Sequence, residues 1–139
     1  MIDFHYETDY RIEDETKFAD WISRIVGSED KGYSQLDFIF CDDDYLLRIN
    51  QDYLDHDTYT DIITFPYGDS NVIAGDIFIS IERVKENAVD FMVDFELELK
   101  RVMAHGVLHL LGFGDKSEEE ASQMRLKEDE KIKLFHVEH

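Results

Sequence analysis

The sequence predicts an α+β domain, and three observations carry that expectation. Short runs rich in β-branched and aromatic residues dominate the chain up to Ile81. From Ser80 onward, apolar residues recur at helical spacing instead. A single proline, with no repeat, linker or low-complexity tract, leaves residues 1–139 to fold as one domain with its own core.

The elements follow in order. Ile2, Phe4 and Tyr6 alternate with polar residues as a first strand. Phe18, Trp21, Ile22, Ile25 and Val26 mark a helix from Glu15 to Val26, stopped by Gly27. Ser28 to Tyr33 reads as a loop and Leu36 to Phe40 as a buried strand. Asp42, Asp43 and Asp44 precede Tyr45, Leu46, Leu47 and Ile49. Carboxylates at a helix start complement its free N–H groups, a plainer account than a metal site. Leu54 to Asp61 is a polar connection. Ile62 to Phe65 is a strand closed by Pro66, able to pair as a hairpin with a strand inside Val72 to Ile81. Ser80 caps a helix bearing Val84, Ala88, Phe91 and Met92, and Phe95 to Leu111 forms the next. Ser117 and Glu120 make a capping box that opens a last helix to about Phe135.

The balance of charge narrows the function classes. Lys and Arg total 14 against 33 Asp and Glu, a formal net charge of −19. Such a surface repels bulk nucleic acid and anionic membranes. Half of the basic residues, however, lie from Lys100 onward, so a local basic face is possible there. The lone Cys41 excludes an internal disulfide and reads as a buried, inert thiol. No basic and apolar leader opens the chain and no run has the length of a membrane span, so a cytoplasmic location is expected.

The chemistry concentrates in His105-Gly106-Val107-Leu108-His109-Leu110-Leu111-Gly112-Phe113-Gly114-Asp115. A four-residue step on a helix sends both imidazoles from one face, the way a single helix supplies two nitrogens to a metal. Gly112 ends the helix in a left-handed turn, and Asp115 then returns as an oxygen ligand. His136, His139, His5 and His56 compete for that third position. The spacing is metzincin-like, with Gly106 in place of the catalytic Glu and Asp115 in place of the third His. Three protein ligands and an open position suit a catalytic zinc ion that activates water. The missing Glu leaves Asp61, Asp76 and Asp57 as candidate bases, each also readable as a turn or cap carboxylate. Lys100, Arg101, Lys116 and Arg125 are candidate phosphate contacts, each also readable as a solvated helix face.

Three segments together resemble the YbeY family of bacterial rRNA maturation factors: Tyr59 to Pro66, Gly75-Asp76-Ile77-Phe78-Ile79-Ser80, and His105 to Asp115. The family's counterparts are P-T-D-V-L-S-F, G-D-I-x-I-S and H-G-x-L-H-L-x-G-Y-D-H, in the same order and at suitable separations. The resemblance implies a compact mixed sheet packed with helices. It also implies a zinc-dependent single-strand endoribonuclease acting in 16S rRNA 3′-end maturation and ribosome quality control. Ribosomal RNA and the small subunit, or one of its proteins, would be the partners. Two positions depart from the family: Asp115 stands where it has a histidine, and Leu54 where it has an RNA-holding arginine. A metallopeptidase and a non-catalytic, zinc-stabilised ribosome assembly factor are the competing expectations.

Overall fold

The computed structural model describes residues 1–54, 59–69 and 71–136. Strands β1 (Ile2–Tyr6), β2 (Gly32–Cys41), β3 (Ile62–Pro66) and β4 (Val72–Ser80) form one mixed sheet in the order β1-β2-β4-β3. The pairs β1–β2 and β2–β4 are parallel, and β3–β4 is the antiparallel hairpin expected from the sequence, with Ile62 opposite Ile79. Five helices surround it: α1 (Glu15–Ser28), α2 (Asp43–Leu54), α3 (Ile81–Phe91), α4 (Phe95–Leu110) and α5 (Glu118–Lys133), with a closing 3₁₀ turn at Leu134–His136.

Period-two alternation splits the sheet's side chains between two layers. Leu36, Phe38, Phe40, Ile73, Ile77 and Ile79 join Trp21, Ile22 and Ile25 of α1 and Met103, Val107 and Leu108 of α4 in the main core. On the other face Cys41 and Ile63 pack with Leu46 of α2, flanked by Tyr45, Phe65 and Phe78. Burial there pushes the Cys41 thiol up to about 12, as an inert core residue should be. The Asp42 carboxylate accepts from Tyr45 N at 2.8 Å, while Asp43 accepts from Ser80 Oγ and Arg83 Nη2. The aspartate run thus starts a helix and ties it to α3.

Three boundaries differ from the sequence reading. Helix α1 passes through Gly27, and the left-handed residue that ends it is Asp30, with φ 58°. The N–H groups of Asp30 and Lys31 close the helix onto the Gly27 and Val26 carbonyls. Strand β2 starts at Gly32 rather than Leu36, because Gly32 and Tyr33 pair with Val72 and Ile73 ahead of a register shift. Phe91 and Met92, placed on one helix with Val84 and Ala88, are exposed at its end: α3 stops at Phe91, and Met92 is left-handed at φ 57°.

Candidate metal centre

Helix α4 lies across the sheet with Gly106 against it. A Cβ at Gly106 would meet Ile62 Cδ1 at 2.9 Å and Ile77 Cγ2 at 3.0 Å, so the glycine is what lets helix and sheet approach this closely. The position that holds the base in zincins therefore faces the core here, one residue round the helix from the ligands. Glycine at 106 is a packing requirement of this fold.

The end of α4 sets the third ligand. Gly112 is left-handed at φ 104°, its N–H bonds the His109 carbonyl, and Phe113 N–H bonds the Leu108 carbonyl. That pair of bonds is a Schellman closure, and it reverses the chain so that Asp115 comes back over the helix. His105 Nε2 and His109 Nε2 lie 3.3 and 3.4 Å from Asp115 Oδ2. All three ligand atoms are within 4.8 Å of one another. Donors about 2.0–2.1 Å from a tetrahedral ion stand about 3.3–3.4 Å apart, so the donor set fits a small divalent cation. Two imidazoles and one carboxylate are also the donor types that zinc accepts.

A residue the sequence reading missed holds the set in place. Glu128 of α5 is 5% exposed, and its Oε2 accepts from His105 Nδ1 at 2.6 Å. An ionised carboxylate only accepts, so the ring proton sits on Nδ1 and the Nε2 lone pair is turned toward the ligand cluster. Glu128 Oε1 in turn takes Arg101 Nη1 at 3.1 Å, and Arg101 Nη2 reaches Asp129 at 2.7 Å. Burial disfavours charge on His105, but the Glu128 hydrogen bond and the charges of Glu128, Asp115 and Asp61 outweigh it, so its pKa is raised. Glu128 shares the buried stripe of α5 with Met124, Lys131 and Ile132, which turns it inward toward His105.

The ligands stand where two clefts meet. One, of about 430 Å³, is lined by Asn50 and Leu54 of α2, by Thr60 to Thr64, and by His105, His109 and Asp115. The other, of about 330 Å³, lies among α3, α4 and α5 and shares Asp61, Ile62, His105 and Asp115 with the first. Asp61 thus borders both. Burial first of all raises its pKa, opposed by His105, and Asn87 Nδ2 donates to its Oδ2 at 3.3 Å.

The remaining sequence candidates separate. Asp76 is not brought to the site. Ile77 meets α4 at Gly106, so its neighbour Asp76 projects from the opposite face, where Tyr67 donates to it at 2.8 Å. Lys100 is also turned away: it is buried, with Nζ 3.8 Å from the centre of the Phe135 ring. Arg101 and Arg125 line the second cleft, and Lys116 is exposed beside Asp115. His5 pairs with Asp37 on the β1–β2 edge, away from the cluster. His56, Asp57 and His139 lie outside the described residues, as does the side chain of His136.

Comparison with known proteins adds to this geometry. The family model described as Endoribonuclease YbeY matches residues 3–136. A Flavobacterium johnsoniae protein named Endoribonuclease YbeY is 56% identical over 138 residues, covering 99% of each chain. Its Flavobacterium psychrophilum namesake is 58% identical over 137 residues, covering 99% of this chain and 98% of its own. A Thermotoga maritima protein of known solution structure superposes with a TM-score of 0.70 at 27% identity, over 97% of this chain and 89% of that one.

Proposed function

The chain belongs to the endoribonuclease YbeY family, and from that premise we propose that it is a zinc-dependent endoribonuclease cutting single-stranded RNA. The whole of residues 1–139 is taken as one metallohydrolase domain, working in the cytoplasm on ribosomal RNA of the small subunit. Its task is 16S rRNA 3′-end maturation and ribosome quality control. The observation that carries the reading is the convergence of His105 Nε2, His109 Nε2 and Asp115 Oδ2 at the junction of two clefts.

His105, His109 and Asp115 would hold the ion, which when bound supplies Lewis-acid polarisation of a phosphodiester and activation of water. Glu128 fixes the tautomer and direction of His105, so the chain need not reorganise to receive the ion. Asp61 is the base this reading uses, because it borders both clefts, and burial raises its pKa, the direction that favours taking up a proton. Arg125 and Lys116 supply exposed positive charge for phosphates near the ligands. A peptidase reading loses support from Gly106, whose place against Ile62 and Ile77 leaves no room for the zincin base. No helix among the described residues is long and apolar enough to cross a membrane.

The test is metal content of the purified protein together with cleavage of single-stranded RNA before chelation, after it, and after zinc is restored. Stoichiometric metal with cleavage that is lost and regained is expected. Cleavage indifferent to chelation would remove the metal-dependent reading. A metal-loaded protein that leaves RNA intact would return the non-catalytic assembly factor.

A further inference from the structure

The cleft among α3, α4 and α5 contains a group that neither the fold nor metal binding accounts for. Glu98 shares the stripe of α4 that carries Val102, His105 and His109, two turns and about 10 Å along the axis before the first ligand. It is 4% exposed and lines the cleft. Among the described residues its carboxylate has no hydrogen bond or ion pair, and the guanidinium of Arg101 is held instead by Glu128 and Asp129. Among the described residues the fully enclosed unpaired side-chain atoms are Arg24 Nε and Arg83 Nε, so the Glu98 carboxylate opens onto the cleft and can accept from a donor placed there. Burial, and then the charge of Asp61, push its pKa up against the opposing charges of Arg101 and Arg125.

The other walls supply complementary features. Helix α3 presents Asn87 and Phe91, one turn apart. The Asn87 amide nitrogen is engaged with Asp61, which leaves its carbonyl oxygen as an acceptor. Phe91 is 57% exposed, so its ring face is accessible from the cleft. Arg125 stands exposed on the α5 wall. The volume, about 330 Å³, is at the small-ligand end of binding sites, which run from about 300 to 1,000 Å³.

An aromatic face, acceptors at depth and a cation at the rim describe a place for a splayed-out nucleobase next to its phosphate. We propose that this cleft is a base-recognition subsite for a nucleotide flanking the cleaved bond, and that Glu98 selects guanine there. Guanine presents two adjacent N–H donors, N1 and N2, which a carboxylate accepts together, whereas uracil offers a single donor on that edge. Phe91 stacks on the ring without regard to its identity. The proposal rests on the RNA-cleaving reading, and its test separates the two.

The experiment uses the metal-loaded full chain and short single-stranded 2′-O-methyl oligonucleotides that resist cleavage. Each carries one guanine, or inosine in its place, which lacks only the N2 amino group. Fluorescence anisotropy is expected to show guanine bound at least about fivefold more tightly than inosine. Glu98→Gln should abolish that preference, with metal affinity and melting temperature kept. Phe91→Ala, at an exposed position, should weaken both oligonucleotides by about tenfold and leave their ratio unchanged. Equal binding of guanine and inosine by the parent protein overturns the subsite, whether or not Glu98→Gln folds. So does a preference that persists in Glu98→Gln. Protein that binds neither oligonucleotide removes the RNA reading along with the subsite, whereas equal binding of both removes the subsite alone.

Discussion

Replacing Glu128 by Gln tests whether the ligand set is held from outside. The change keeps the side chain's volume but removes its charge, so the 2.6 Å bond to His105 Nδ1 becomes a neutral one and Arg101 keeps only Asp129 as a charged partner. A hydrogen bond to a charged group contributes about 1.5–3 kcal/mol, against about 1 kcal/mol for a neutral one. The difference, about 0.5–2 kcal/mol, corresponds to roughly 2- to 30-fold in an equilibrium constant. Loss of a histidine's outer partner typically costs about 10- to 100-fold in metal affinity. The two ranges overlap near tenfold, which is the expected weakening. Competition for zinc against a chromophoric chelator measures it, with thermal melting of the metal-free protein as the control for folding. A Glu128→Gln protein that melts like the parent and binds zinc within about twofold of it would refute the argument that Glu128 orients His105.

Four further outcomes follow from the same geometry. Asp115→Ala should lose more zinc affinity than the about tenfold expected for Glu128→Gln, and Asp115→His should restore it, both read by the same chelator competition. Gly106→Glu should lower the melting temperature, because overpacking between Ile62 and Ile77 costs about 1–3 kcal/mol or more, and it should not create casein cleavage. Robust casein cleavage by the unmodified protein would overturn the RNA reading. Glu29 is partly buried, which raises its pKa, but its bonds to Lys131 and Lys127 prevail and the folded-state pKa is lowered. Its stabilising effect is therefore complete above the ordinary value of 4.5 and is lost as pH falls through the folded-state pKa. Glu29→Gln should cost about 3 kcal/mol in neutral denaturant melts, since Lys131 is fully buried, and the gap to the parent should close in acid. RNA binding should show a shallow salt slope of about 2 to 3 phosphates, reduced by neutralising Lys116 and unchanged by neutralising Lys31, whose ammonium bonds Asn71.

The legible part of the site was the part written on one short segment. His105 and His109 announce a shared helix face by their spacing alone, and Gly112 announces the turn that brings Asp115 to them. Glu128 was not legible in the same way, because its partner lies 23 residues away on another helix and no local period encodes that contact. Lys100 misled for the complementary reason. A lysine between buried positions of an amphipathic helix can lay its stem along the core, and here its ammonium meets the Phe135 ring instead of solvent. The early start of β2 was hidden because Gly32 and Tyr33 are strand residues only through pairing with Val72 and Ile73. Strand propensity in such places comes from neighbours more than from the residues themselves. The hairpin of β3 and β4 was legible because runs of β-branched and aromatic residues closed by Pro66 are local properties.

Helix α5, which braces His105, is itself fastened to the start of the chain. Trp21 Nε1 donates to the Lys131 carbonyl at 2.7 Å, Arg24 reaches the Leu134 carbonyl, and Glu29 holds both Lys127 and Lys131. The ligands precede this brace in order of synthesis. Until α5 docks, a folding chain has His105, His109 and Asp115 but not the group that steadies the first ring. An ion met at that stage would be gripped by a freely turning imidazole and readily given up. Secure retention starts only when the last helix closes against the first. Metal affinity would in this way report that α5 has docked, and a chain clipped before Glu128 would hold the ion more weakly with every ligand still present.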